Sequence, residues 1–431
     1  MANGSQLTKL IVAAIVMLVI GLGAGYGATS LTMVPRSVYE AELAKMVPRA
    51  QYDALQAQYN AIASLVPKTK IKAGFIYVGP IGDYGWTHAH DQGRLYVDKE
   101  FPWLDTVYVD SVKEADVDRY LSRLVEEEKC DIVFTTSFGY MDGTITAGEK
   151  YPGKIFFHCS GYKRAKNVGT YFADFYQVYY LNGLMAGALT KTGKVGYVGA
   201  HPIPEVVRHI NAFALGVREV NPKATVSVRW INEWYHPAKA RAAAEALIAE
   251  GCDALAFTED SPTVLQVGQE RTEAGKQIYT FSHYSPMQKF GPDSCVSGQL
   301  VHWEKLYEDI LTRIYLGVHN STNLANMDYL YNLREGGVEL GGSFGVPINP
   351  KFISALKAVT VTDPILGKVS VYDLVMTRLQ QMSEPSVVFD PFTGPIKDQA
   401  GTVRVPAGRR GTYYELWTID WFVEGVIGTV G

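Results

Sequence analysis

Residues Ile71 to Arg94 read IKAGFIYVGPIGDYGWTHAHDQGR. An apolar run of strand length ends in a loop with glycines at 79, 82 and 85, and the chain then continues into a helical pattern. The same alternation repeats downstream. TVYVD, DIVFTTS (Asp131 to Ser137) and KIFFHCS follow as strands, separated by helices such as DVDRYLSRLVEEEKC. A second series runs KVGYVGA, PEVVRHINAFALGVREV, TVSVRWI, PAKARAAAEALIAEG, CDALAFTED, QIYTFSH and CVSGQLV. Strand then helix, repeated, reads as a parallel sheet with crossovers. LVEEEKCDIVFTTS (Leu124 to Ser137) resembles LIAEGCDALAFTED (Leu247 to Asp260), each placing Cys-Asp at a strand start and polar residues at its end. This weak duplication predicts two doubly wound α/β lobes facing each other.

In open α/β sheets, ligands bind beyond the carboxyl ends of the strands. The Gly79 to Arg94 loop lies at such an end, as do SFGYMD (Ser137 to Asp142), AHPIPE (Ala200 to Glu205), INEWYH (Ile231 to His236), EDSPT (Glu259 to Thr263) and SHYSP (Ser282 to Pro286). Asp83 is placed to accept hydrogen bonds from a ligand, and Trp86, Phe138, Tyr140, Trp234 and Tyr284 to offer flat faces. The alternative for each aromatic is core packing, and for Asp260 or Ser261 a helix cap.

Metal and nucleotide chemistry fit the loop less well. On a helix, His88 and His90 point about 200° apart and do not chelate one ion, and no His pair stands at i and i+4. The glycine spacing is GxxGxxG, which departs from the dinucleotide fingerprint, and no GxxxxGK[ST] occurs. The expectation is a binding protein with no cofactor and no metal, not an enzyme.

Charged residues make up 19% of the 431-residue chain and hydrophobic ones 47%, with a net charge of −4. Neither a disordered chain nor an electrostatic nucleic-acid binder is indicated. Leu10 to Ala28 is free of charge and near the roughly 20 residues that span hydrocarbon as a helix. It predicts an export signal or membrane anchor over 1–30. Residues 31–69 predict a stalk helix in which Tyr52, Leu55, Tyr59, Ile62 and Val66 recur at helical spacing. That stripe packs on the globular body or on a second copy. The four cysteines show no CxxC spacing and read as buried thiols.

GFIYVGPIGDYGWTHAHDQGR, TTSFGYMD, HPIPEVVRHINAFALGVREVNP, PFTGPIKDQAGTVRVPAG and DWFVEGVIG together resemble the basic membrane protein (BMP) family. These are extracytoplasmic solute-binding proteins of ABC transporters, related to purine-nucleoside receptors. The resemblance implies a type I periplasmic-binding-protein fold of two Rossmann-like lobes and three crossovers. The crossovers would fall near Tyr171 to Asp174, near Gln299 to Trp303, and between about Asn320 and Gly345. The first lobe would take 70–172 with a returning segment near 302–325, and the second 173–300 with part of 326–431.

The same resemblance implies a purine base or nucleoside held by Asp83, Trp86, Ser137, Phe138, Trp234 and Asp260, and an ABC permease as partner. Two departures stand out. Tyr284 and Pro286 occupy positions where related sequences carry acids, which bears on ligand choice. An anchor and stalk replace the lipidated Cys of bacterial members, which resembles archaeal practice. The competing expectation is a sensory or surface-structural protein that keeps the fold and self-associates through the stalk.

Overall fold

The structure, a computed structural model, describes residues 70–387 and 389–431. The expected anchor and stalk lie outside the described residues. Among the described residues no helix is long and apolar enough to cross a membrane.

Two parallel sheets organise the body. The first contains β1 (Ile71–Ile76), β2 (Leu104–Val109), β3 (Ile132–Thr135), β4 (Ile155–Cys159), β5 (Val168–Ala173) and later β11 (Asp328–Tyr331), in the order β11-β5-β4-β3-β1-β2. The second contains β6 (Lys194–Gly199), β7 (Thr225–Trp230), β8 (Ala254–Thr258), β9 (Tyr279–Ser282), β10 (Cys295–Val301), β12 (Val338–Leu340) and β17 (Val426–Ile427), in the order β12-β10-β9-β8-β6-β7-β17. Four short strands, β13 (Thr360–Asp363) with β14 (Gly367–Ser370) and β15 (Ile396–Lys397) with β16 (Val403–Val405), form separate hairpins.

The central strands carry buried side chains on both faces, Val133 and Phe134 on β3 and Leu255 and Ala256 on β8, because helices cover both sides. β3 and β8 hold equivalent places in their sheets, each between the first strand of its series and the next. The paired motifs around Cys130 and Cys252 therefore mark the same structural position twice. All four cysteines are buried free thiols.

The chain passes between the sheets three times: after β5, after β10, and between β11 and β12. Pairing of β11 with β5, from Asp328 opposite Thr170 to Tyr331 opposite Ala173, carries the return to the first sheet past position 325. β12 then runs antiparallel to β10, and β17 adds an edge beside β7.

Two helices form the densest packing. Tyr176–Leu189 is buried along its whole length and lies against Pro204–Val220, which starts with Pro at its first turn. A Cβ on Gly183 would stand 2.1 Å from the Phe213 carbonyl oxygen, and one on Gly216 2.1 Å from that of Tyr180. The helices touch backbone to backbone where only glycine fits. Gly183→Val should therefore cost about 2–3 kcal/mol of stability by overpacking, seen as a lowered denaturation midpoint. An unchanged midpoint would show that the helices separate freely.

Candidate functional site

A narrow cleft with only about 10 Å³ of enclosed room, enough for about one water, lies between the carboxyl ends of the two sheets. Val78 and Trp86 reach it from the loop after β1, Thr136, Ser137 and Phe138 from the end of β3, and Ser160 from the end of β4. From the second sheet come Glu205 after β6, Trp234 after β7 and Tyr284 after β9. Five of the eight residues singled out from sequence thus line one space, Trp86, Ser137, Phe138, Trp234 and Tyr284, whereas Tyr140 is fully buried and its hydroxyl donates to the Val112 carbonyl.

Asp83 and Asp260 stand behind that lining. Asp83 accepts from the backbone N–H groups of Gly85 (2.8 Å), His88 (2.9 Å) and Thr87 (3.1 Å). Its carboxylate satisfies donors left free at the start of the helix Trp86–Glu100, so the polar group expected to grip a ligand organises the loop. Asp260 is fully buried, and neither of its carboxyl oxygens has a hydrogen-bond partner among the described residues. Its backbone N–H donates to the Trp234 carbonyl at 2.8 Å.

The aromatic walls are held by their own partners. Trp86 donates its indole N–H to the Thr136 carbonyl at 2.5 Å, and its ring meets Tyr284 edge-on at 5.1 Å. Tyr284 has φ of 67°, a left-handed conformation unusual for a residue with a side chain. Its carbonyl accepts from Val301 N at 3.1 Å. Such strain, of order 1–3 kcal/mol, persists where the surroundings over-determine it. It aims the Tyr284 ring at the cleft in the segment that departs from the family pattern. Ser137 donates its hydroxyl to Glu114 at 2.6 Å, and its carbonyl pairs with buried His158 at 2.8 Å. His88 faces the Ile81 carbonyl at 3.3 Å through Nδ1, a local hydrogen bond of the loop.

Val78, Thr136, Ser160 and Glu205 line the cleft without having been singled out from sequence, and Glu205 is the ionisable one among them. Pro204-Glu205 reads as an ordinary helix start, where an acid complements the helix dipole. Its position one loop beyond β6 was the available signal. GGSFG, Gly341 to Gly345, matches the spacing of a nucleophile elbow, yet it follows β12 as a turn and does not join a strand to a helix. Among the described residues no histidine is hydrogen-bonded to Ser343, and no cluster of His, Cys, Asp and Glu is arranged to hold a metal ion.

The cleft gathers carboxyl groups. Burial pushes Glu205 up to about 8, with Asp174 raising it further and Arg208 opposing. Burial likewise pushes Glu259 to about 8, against hydrogen bonds from Ser261. Asp83 rises to about 7 by burial, held back by its backbone donors, and Asp260 rises well above the carboxylate range through burial and the charges of Asp83, Glu259 and Glu205. The nearby cation, Arg208, is held 3.0 Å from Asp174.

These groups bind protons more tightly in the closed cleft than in an open one, where water restores values near 4. Closure should be unpenalised below about pH 4, weaken as pH climbs, and level off above about 8. Small-angle scattering of the ligand-free chain should show a radius of gyration that grows between pH 5 and 8.5. Asp260→Asn should flatten that curve. A radius constant across the range would contradict the assignment. Asp83→Ala should cost about 1–2 kcal/mol of stability through its lost cap, and Asp83→Asn clearly less, by chemical denaturation.

A profile of ABC transporter substrate-binding proteins of the PnrA-like type matches residues 70–357. A purine-binding protein of Brucella abortus is 34% identical over 359 residues, spanning 83% of this chain and 93% of that protein. A putative ABC transporter glucose-binding protein of Haloferax volcanii is 40% identical over 247 residues, 57% of this chain and 62% of that one. Among solved structures, an ABC transporter solute-binding protein of Aeropyrum pernix superposes with a TM-score of 0.62 at 15% identity, covering 74% of this chain and 93% of its own. One from Conexibacter woesei gives 0.54 at 16% identity, covering 74% and 99%. Two parallel sheets with facing carboxyl ends are thus a periplasmic-binding-protein-like α/β fold, and the chain belongs to the PnrA-like family of ABC transporter substrate-binding proteins.

Proposed function

We propose that the protein captures a purine base or nucleoside in the cleft between its sheets, outside the cytoplasm, and delivers it to an ABC permease. The observation that carries this reading is a cavity walled by Trp86, Phe138, Trp234 and Tyr284 with Glu205 on its polar side. Aromatic walls suit a flat heterocycle, and a carboxyl group suits its N–H edge. The Brucella relative, described as purine-binding and matched over most of both chains, supports the same ligand class.

Capture requires no covalent step. Trp86 and Ser137 belong to loops of the first sheet, Glu205 and Tyr284 to loops of the second. A ligand that touches both sets only in the closed form shifts the population toward closure by its differential affinity. The permease reads that closed shape. In this reading the apolar run Leu10 to Ala28 tethers the receptor at the membrane surface. A hexose is the second reading, supported by the Haloferax relative's description and by the suitability of carboxyl groups for sugar hydroxyls.

Calorimetric titration with adenine, hypoxanthine, adenosine, guanosine and glucose separates the two. One purine should bind with a dissociation constant on the order of 1 μM or tighter. Trp86→Ala should weaken it by about 5- to 150-fold, the equivalent of 1–3 kcal/mol of stacking. Glucose binding with no heat from any purine would replace the purine reading with the hexose one.

A further inference from the structure

After β12 the chain stays with the second sheet. Helices Pro350–Ala358 and Val371–Ser383 pack on Tyr176–Leu189, and β17 pairs with β7. Between them, Asn211 of the helix Pro204–Val220 donates to the Trp421 carbonyl at 2.8 Å and accepts from the Val423 N–H at 2.9 Å. Arg208 of the same helix donates to the Leu416 carbonyl at 2.9 Å, with its guanidinium over the Trp417 ring at 5.1 Å. The C-terminal segment is thus fastened to the body built on the second sheet.

One short helix of that segment, Tyr413–Trp417, also reaches the first sheet. Tyr413 donates its hydroxyl to Asp328 at 2.9 Å, and the Trp417 ring meets Phe172 edge-on at 5.5 Å. Phe172 lies on β5 just before the first passage between the sheets, and Asp328 opens β11, which leads into the third. Asp328 is fixed within the first sheet, because Thr170 donates to it at 2.8 Å and Arg164 stands 3.0 Å away. Side chains therefore bridge the two bodies at a place where the backbone does not pass.

We propose that the helix Tyr413–Trp417 is a latch that weights the molecule toward its closed form before any ligand arrives. In the form with room for about one water in the cleft, both latch contacts are made. Opening turns the first sheet about the three passages. A helix fastened to the second body does not follow, so the Tyr413 hydroxyl leaves Asp328 and the Trp417 ring slides off Phe172. Tyr413 is 41% exposed, and its hydroxyl exchanges Asp328 for water on opening, which keeps the latch weak and reversible. A receptor that loads and unloads needs that weakness, since the open form must stay within reach. The latch does not depend on which solute the cleft takes.

Spin labels on Ala115→Cys and Ala238→Cys test this in the ligand-free full chain by pulsed paramagnetic resonance. Both positions are exposed and lie beyond the carboxyl ends of β2 and β7, so their separation reports opening. The four native thiols are buried and stay unlabelled. Tyr413→Phe removes one hydroxyl and should raise the ratio of long-distance to short-distance populations about 2- to 12-fold, the worth of one hydrogen bond. Trp417→Leu, which takes the ring off Phe172, should shift the ratio the same way. The thermal transition is followed in each variant, because a merely structural role would lower it and leave the distances alone. Distances in both variants that match the native ones, or move toward the short population, overturn the latch.

Discussion

The site depends on how closely the two sets of loops approach each other at one point. A Cβ on Gly85 would lie 2.5 Å from the Asp260 Cα, so a residue without a side chain lets the loop after β1 rest on the backbone after β8. Around that contact, the Ser285 hydroxyl donates to the Tyr84 carbonyl, Tyr84 meets Phe290 edge-on at 5.0 Å, and Trp86 meets Tyr284. A larger residue at 85 would hold the loops apart and admit water to Asp260. The burial of the carboxyl cluster, and with it the raised proton affinity of Glu205 and Glu259, follows from this one approach.

Rigid packing supports it from beneath. Asp83 locks the start of the helix Trp86–Glu100, which sets the direction of the Trp86 ring. The glycine contact between helices Tyr176–Leu189 and Pro204–Val220 fixes the height of Glu205 and Arg208 above the second sheet. Asp174, at the first passage between the sheets, binds Arg208. The same ion pair that ties the connection to the second sheet therefore keeps a positive charge out of the cleft.

Much of this was legible in the sequence, because period and burial leave marks on a chain. Strands covered on both faces read as continuous apolar runs, and AGFIYV and ALAFT stand out for that reason. Helix starts announced themselves through Pro204 and Pro237. The aromatic lining was legible because strand ends locate loops, and Trp86, Phe138, Trp234 and Tyr284 all sit at strand ends. The division of labour among the acids was not legible. Asp83 and Glu205 each stand at the beginning of a helix, where an acid is favoured whether or not it also faces a cavity. Only their surroundings distinguish them: three backbone donors meet the Asp83 carboxylate, whereas the buried Glu205 side chain lines the cleft. The additions after Val338 were equally hidden, since β12 and β17 are two or three residues long and join the sheet by pairing rather than by pattern.

The central claim is that the space between the facing sheet ends is where a purine is read, with aromatic walls from both sheets and Glu205 on its polar edge. A crystal structure of the chain grown with the tightest-binding purine addresses it most directly. The account predicts the ring between Trp86 or Phe138 on one side and Trp234 or Tyr284 on the other, with an N–H or O–H group donating to Glu205. A purine bound elsewhere on the surface, or one whose only polar partner is Asp83, would contradict it.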